Sequence, residues 1–245
     1  GGCVHARRAV DGQGPVRQRL QEAAIGTDRA RPAVTRTVSA DGRLLQMVPN
    51  EALAVQRSYR VYVYNGIRDL AGNAHAYNSY RFTTSFDADA QPPQVVDFSI
   101  VDGIDGVPTN PLLEVRFNEP VNLTSIDGIR LLKDGAEVPL QGRTTRDGNR
   151  VVGLTLASLL DTNASYTLRV EGIEDLSGNV QSGVAQSTFT TGDGPDLVQP
   201  NYVTRIPDTN ASNVPVNAIV SLTTNERISP TSLNNTSVRV YDYTY

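Results

Sequence analysis

The chain has 245 residues, a net charge of −4, two histidines and one cysteine. A single cysteine excludes an internal disulfide framework and any multi-cysteine metal site, and the mild charge argues against a nucleic-acid partner. No apolar stretch is long enough to predict a membrane span. Because no helical periodicity persists over three turns, the pattern predicts an all-β protein.

The first 33 residues differ in character from the rest of the chain. Residues 1–33 are basic and rich in Arg, Gln and Gly, with neither strand alternation nor a clean helical face. Three interpretations stay open: a solvated or disordered segment, a short amphipathic helix around Val16–Ile25, and early strands garbled by a reading-frame error. Because position 1 is not Met, we expect the sequence to be a piece of a longer protein.

Strand-like sequence begins at Val34 and is organised in three blocks. Residues 34–85 are interpreted as the C-terminal part of a first Ig-like repeat, residues 86–93 as a linker, and residues 94–192 as a complete second repeat. Residues 195–245 parallel the beginning of the second repeat, and we interpret them as the N-terminal part of a third. The sequence therefore predicts tandem immunoglobulin-like β-sandwiches, one complete and two partial.

The second repeat carries the clearest local signals. Its pattern predicts about seven strands in roughly 100 residues, as expected of an Ig-like sandwich. The pairs Asp134-Gly135 and Asp147-Gly148 predict tight hairpin turns. Asp102–Pro111, which is rich in Gly, predicts a loop, and Leu123–Ile126 predicts one helical turn.

Two similar stretches, about 106 residues apart, mark the same hairpin in two repeats. They read SYRVYVYNGIRDLAGN and SYTLRVEGIEDLSGN, and each predicts an alternating strand, a polar loop capped by an Asp, and a Gly with positive φ. The tyrosine that opens each strand stands where a tyrosine corner puts its ring in the core and its hydroxyl on upstream backbone. The residues expected to carry this structure are Tyr59, Tyr166, Asp69, Gly72, Asn73, Asp175, Gly178 and Asn179.

A family resemblance is carried by PPQVVDFSI, DGIDGVPTNPLLEVRFNEPVNLTSI, DGNRVVGLTL, NASYTLRVEGIEDLSGN and STFTT. These stretches resemble the bacterial Ig-like repeat of S-layer (SbsA-type) surface proteins. The resemblance implies a structural or spacer module, often in tandem, in secreted, wall-associated or S-layer proteins. It implies neighbouring domains of the same chain as partners, an extracellular or cell-surface location, and no catalytic residues.

The residue content argues against an enzyme. His5 and His75 are the only histidines, and no nucleophile, phosphate-loop or zinc motif is present. The alternative to a spacer is an adhesion or carbohydrate-binding appendage of an extracellular enzyme, with cell-wall or surface polysaccharide as its partner. Aromatic side chains on an exposed face would favour this alternative, and the candidates are Tyr62, Tyr64, Tyr77 and Tyr80.

Carboxylates suggest one candidate metal site. Asp87 and Asp89 lie in the linker, and the loop that contains Asp175 belongs at the same pole of an Ig sandwich. Oxygen ligands of this kind suit Ca²⁺, so the three acids form a candidate calcium site that would stiffen the linker. The competing interpretation is that each Asp satisfies turn backbone.

Overall fold

The structure is a computed structural model that describes residues 31–39 and 42–242. The interpretations of residues 1–33 therefore lie almost wholly outside the described residues. The chain divides into two compact units, Gly1–Thr84 and Ser85–Tyr245. In the described part, every helix is too short and too polar to cross a lipid bilayer.

The described part of unit one contains two antiparallel strand pairs. The strands are β1 (Val34–Val38), β2 (Leu45–Pro49), β3 (Ser58–Val63) and β4 (Asn78–Thr83), with β1 paired to β2 and β3 paired to β4. Side chains along β3 alternate between half-buried Tyr59, Val61 and Val63 and exposed Arg60 and Tyr62. This period of two defines an inner and an outer face of the β3–β4 hairpin.

Unit two contains a β-sandwich of nine strands. They are β5 (Val95–Phe98), β6 (Ile104–Val107), β7 (Leu113–Phe117), β8 (Ile129–Lys133), β9 (Ala136–Glu137), β10 (Leu140–Arg146), β11 (Val151–Leu156), β12 (Ser165–Glu171) and β13 (Val184–Thr191). One sheet has the order β10-β11-β7-β5 and the other β6-β13-β12-β8-β9. All pairs are antiparallel except β6 with β13, which is parallel. The Ig-like, all-β fold is confirmed.

The sandwich core comes from the inward-facing residues of both sheets. Leu113, Val115 and Phe117 alternate on β7, while Leu168 and Val170 face them from β12. All five are at most 2 % exposed. Burial of such aliphatic side chains is the main term that holds the two sheets together.

Two local expectations for the sandwich were wrong. Asp102–Pro111 contains strand β6, which pairs with the distant β13 and is preceded by Gly103 at a φ of +77°. The helical turn is Ile126–Gly128, so it begins at the last residue of the stretch Leu123–Ile126 that the sequence favoured.

The C-terminal segment, residues 195–245, follows the sandwich within unit two. Its described part contains β14 (Tyr202–Ile206), which pairs antiparallel with β15 (Ser221–Thr224), and a 3₁₀ turn, Pro230–Ser232. Large apolar side chains on this segment are strongly exposed, including Ile219 at 82 %. Thr231 in the 3₁₀ turn is fully buried.

Candidate functional site

The two Asp-Leu-x-Gly-Asn loops have the same capping geometry. In unit one, Asp69 Oδ1 accepts hydrogen bonds from the backbone N–H groups of Ala71 (2.9 Å) and Asn73 (2.8 Å). Its Oδ2 accepts one from Asn73 Nδ2 at 2.8 Å. The Asn73 amide and these backbone donors hold the pKa of Asp69 below its usual value. Gly72 takes a φ of +86°, which a residue with a Cβ rarely adopts.

The second loop repeats this arrangement around a buried carboxylate. Asp175 is 1 % exposed, and its Oδ1 accepts hydrogen bonds from the N–H groups of Ser177 (2.7 Å) and Asn179 (2.9 Å). Its Oδ2 accepts one from Asn179 Nδ2 at 2.7 Å. Gly178 again has a φ of +86°.

Both hairpins begin with a tyrosine whose hydroxyl binds the backbone of the preceding corner. The Tyr166 hydroxyl accepts a hydrogen bond from Asp161 N at 2.9 Å, and its ring, 3 % exposed, stacks on Phe189 with centroids 5.8 Å apart. The Tyr59 hydroxyl accepts one from Ala54 N at 3.0 Å. A hydroxyl that satisfies a corner amide from inside the core is the tyrosine-corner geometry.

The Asp175–Asn179 loop contacts the segment that enters the sandwich. Asn179 Nδ2 donates to the backbone carbonyls of Asp89 (3.1 Å) and Gln91 (3.4 Å). A few residues on, Gln94 N donates to Asn118 Oδ1 at 2.8 Å, and Asn118 N donates back to Gln94 O at 3.1 Å. The entering segment is therefore held by side-chain amides from two separate loops.

Three carboxylates meet beside this segment, and we call them the linker carboxylates. Oxygens of Asp89, Glu119 and Asp175 all lie within 4.8 Å of one another. Asp87 is outside this group, and its backbone carbonyl accepts a hydrogen bond from Ser85 Oγ. Partial burial and the neighbouring Asp89 raise the pKa of Glu119. Carboxylate oxygens at this spacing are of the kind that hold a divalent cation or a shared proton.

Glu119 was not among the site residues predicted from the sequence. A signal for it exists in the Asn-Glu pair Asn118-Glu119, which recurs as Asn225-Glu226 in the C-terminal segment. There Asn201 N donates to Asn225 Oδ1 at 2.6 Å, which reproduces the contact between Gln94 and Asn118. Partial desolvation and a hydrogen bond with Asp196 raise the pKa of Glu226, as Asp89 does for Glu119.

The exit from the sandwich is fixed as closely as the entry. Asn110 Nδ2 donates to Asp196 O at 2.8 Å, and Asp196 N donates back to Asn110 Oδ1 at 2.8 Å. Thr109 N donates to Gly194 O at 3.0 Å. Arg227 Nη1 then donates to Asp105 O at 2.6 Å.

A buried polar cluster joins the C-terminal segment to the outer face of the sandwich; we call it the Thr231 cluster. The Thr231 hydroxyl donates to Glu114 Oε2 at 2.7 Å, and Arg146 Nη2 donates to the same oxygen at 2.6 Å. The Thr231 carbonyl accepts from Arg146 Nη2 at 3.0 Å and also from Arg116 Nη2. Nothing in the sequence pattern pointed to this cluster, because Thr231 lies 85 to 117 residues from its three partners in the sequence.

The negative charge of the Thr231 cluster is largely buried and is compensated by a partly exposed arginine, Arg146. The Glu114 side chain is 10 % exposed. Burial opposes its charge, but hydrogen bonds from Arg146 and Thr231 outweigh this effect and hold the pKa of Glu114 below its usual value. A buried ion pair with additional hydrogen bonds fixes the relative position of the segments it joins more than it adds to their stability.

The candidate tyrosines of unit one fall on two faces. Tyr62 and Tyr64 stack with ring centroids 6.1 Å apart, and Tyr64 lies 5.8 Å from Tyr77. These three side chains share the outer face of the hairpin and form what we call the tyrosine strip. Tyr80 is opposite Val61 in the β3–β4 register and therefore lies on the inner face.

One family model matches both repeats of the chain. The model described as a bacterial Ig-like domain matches residues 15–84 and 89–191. The chain belongs to this family. The first match begins upstream of Val34, where recognisable strand sequence starts, and the second covers the sandwich of unit two. This chain thus contains tandem bacterial Ig-like domains.

Similarity to solved structures extends over part of the chain at low scores. Surface-layer protein SbsC, domains 1–6, is 18 % identical and aligns with 46 % of this chain and 15 % of its own, with a TM-score of 0.34. The N-terminal part of the S-layer protein SbsC is 16 % identical over 46 % of this chain and 26 % of that one, with a TM-score of 0.34. A chimeric titin Z1Z2 is 19 % identical over 66 % and 72 %, with a TM-score of 0.31. No curated protein matches the chain.

Proposed function

We propose that this chain is a non-catalytic structural segment of a larger bacterial surface protein. Its Ig-like repeats act as spacers that set the distance and direction between flanking parts outside the cell. The partners of each repeat are the neighbouring repeats of the same chain, and residues 195–245 are the start of a third repeat. Family membership and the absence of a nucleophile-and-base motif in the sequence support this role.

The Thr231 cluster is the observation that carries the proposal. A spacer transmits orientation only when a repeat cannot swivel on its neighbour. Thr231 is 0 % exposed and is held by Glu114, Arg116 and Arg146 of the preceding sandwich. Because breaking one partner of a buried charged network leaves the others unpaired, rotation at this junction is costly.

The test is a distance measurement across the junction between the sandwich and the C-terminal segment. Nitroxide labels at Ser158→Cys and Ser212→Cys, in a chain with Cys3→Ser, should give a narrow distance distribution by pulsed electron resonance. Thr231→Val and Arg146→Gln should broaden it, because each removes hydrogen bonds of the cluster. Thr204→Val, on strand β14, is the matched control and should leave the width unchanged. A distribution that is equally broad in all four chains contradicts a rigid spacer.

A further inference from the structure

The outer face of the β3–β4 hairpin combines exposed aromatic rings with exposed positive charge. The tyrosine strip leaves 37 % of Tyr62, 62 % of Tyr64 and 59 % of Tyr77 exposed. Next to it along the strands, Arg60 and Arg81 stand directly opposite each other in the β3–β4 register and are both exposed. Strand rise places Arg60 about 13 Å from Tyr64, the length of a short oligosaccharide.

The two arginines make this face a site for negative charge. Like charges directly across a strand pair are destabilising. Over residues 31–39 and 42–242, no carboxylate comes within ion-pair distance of Arg60 or Arg81. An anionic group placed between the two guanidinium groups relieves their repulsion and gains charge-assisted hydrogen bonds.

The same face of the second repeat shows that the fold does not require these residues. Counting from the corner tyrosines, Arg169 and Glu171 occupy the places of Tyr62 and Tyr64. Arg169 Nη2 donates to Glu171 Oε2 at 2.7 Å, and Arg130 also pairs with Glu171. On that face both arginines pair with a carboxylate of the same repeat, and ion pairs stand in place of the stacked rings. The stacked rings of unit one thus have no counterpart at the matching positions of the second repeat.

We propose that the outer face of the β3–β4 hairpin binds an acidic glycan, a chain of sugar rings that carry carboxylate, sulfate or phosphate groups. The flat tyrosine faces pack against the C–H faces of sugar rings, and their hydroxyls reach ring hydroxyls. Arg60 and Arg81 bind an acidic group of an adjoining sugar. A nucleic acid fits less well, because its affinity comes from many phosphate contacts and the chain has a net charge of −4.

The experiment is calorimetric titration of the full chain with oligogalacturonate and with a sulfated oligosaccharide. We expect at least one of the two to bind, more tightly at 50 mM than at 200 mM salt. Tyr64→Ala and the double variant Arg60→Gln, Arg81→Gln should each weaken this binding at least fivefold. Tyr202→Ala, an equally exposed tyrosine in unit two, is the matched control and should bind as the unaltered chain does.

Three further probes distinguish the acidic glycan from other occupants. Neutral galactan and polyglutamate, which lack the charge and the rings respectively, should bind at least fivefold more weakly. The arginine double variant removes a repulsion and should melt no lower than the parent, so its loss of binding does not reflect unfolding. No binding of either acidic glycan, equal binding of polyglutamate or galactan, or tighter binding of single-stranded oligothymidylate overturns the proposal. None of these outcomes bears on the junction between the sandwich and the C-terminal segment, so the spacer role stands or falls separately.

Discussion

Single side chains close the corners and loops of each repeat. Tyr166 closes the corner before β12 from inside the core, and Asp175 closes the loop after it from a position that is 1 % exposed. Both satisfy backbone amides that would otherwise lie without a partner near the core, and leaving such an amide unpaired costs about 1–3 kcal/mol. The chain has no Trp and no internal disulfide, the two features that mark the core of antibody-type Ig domains. We therefore expect these hydrogen-bonded closures to contribute a larger share of the stability of the fold.

The contribution of such a closure to stability can be measured at Tyr166. Tyr166→Phe removes the acceptor for Asp161 N and should lower the free energy of unfolding of the second repeat by about 1–2 kcal/mol. Tyr166→Ala also removes the ring stacked on Phe189 and should cost about 3–5 kcal/mol. The measurement is urea unfolding of a fragment that contains residues 92–192. Thr155→Val, at an exposed position of β11, is the control; equal stability of all four chains would refute the tyrosine-corner role.

At the scale of elements, sequence patterns predict the strands and turns that depend on neighbouring residues. Strands β8 and β12 occur where alternation and the Asp134-Gly135 turn place them, because a two-residue turn and a period of two are read over a few residues. Strand β6 was missed because its partner β13 is some eighty residues away and its own sequence reads as a loop. The parallel bond pattern that defines β6 leaves no local signal.

The same limit applies to the candidate sites. The position of the Asp175 loop beside the entering segment follows from Ig topology, and the structure has Asn179 bound to Asp89 O there. Glu119 joins the linker carboxylates only because β7 ends at this pole, and Asp87 does not join them. The Thr231 cluster depends on contacts between distant segments that no spacing encodes.

Calcium binding by Asp87, Asp89 and Asp175 stays a prediction, and the geometry favours Glu119 over Asp87 as the third ligand. We expect a weak, extracellular-type site with a dissociation constant of about 0.1–1 mM. Calcium should therefore raise the melting temperature of the chain relative to chelator, by mass action on the folded state. Glu119→Gln should reduce the rise, whereas Asp87→Asn, the control, should not.

The pH dependence of the calcium-induced rise in melting temperature follows from the raised pKa of Glu119. Glu119 keeps its proton to a pH above the usual glutamate value of about 4.3, and this proton stabilises the folded state below that value. As pH increases through the raised pKa, the proton leaves and repulsion from Asp89 and Asp175 lowers stability. Calcium replaces the proton, so its effect on the melting temperature should grow as pH rises through the raised pKa of Glu119. Identical melting curves with calcium and chelator at pH 7.5 would leave these acids as ordinary turn and linker residues.

At the scale of the whole molecule, the hydrophobic core found among the described residues belongs to the second repeat. Every member of the buried apolar cluster lies between Ile100 and Phe189. In the described part of the C-terminal segment, by contrast, Val216 and Leu197 are 109 % and 87 % exposed. A segment that leaves such side chains in water does not gain enough from burial to offset the entropy of ordering its backbone.

We therefore expect the two parts to differ when they are separated. A fragment spanning Pro92–Gly192 should unfold cooperatively in urea, because its sheets and corner are complete. A fragment spanning Pro195–Tyr245 should give collapsed amide dispersion in NMR spectra, because the contacts of Thr231 with Glu114 and Arg146 are lost. Sharp, dispersed signals from the shorter fragment would show that the boundary after Gly192 is misplaced.

The parallel pair β6–β13 has a consequence for a chain under tension. A pull on the two ends of the second repeat enters before β5 and leaves after β13, whose neighbour β6 runs in the same direction. The pull then draws the N-terminal end of β6 and the C-terminal end of β13 in opposite directions along the strand axes. Their cross-links, among them the bonds from Gly103 N to Thr188 O and from Gly192 N to Val107 O, are loaded together in shear and are not peeled one at a time. We therefore expect the main mechanical resistance to stretching at the β6–β13 edge of the sandwich, before the core opens.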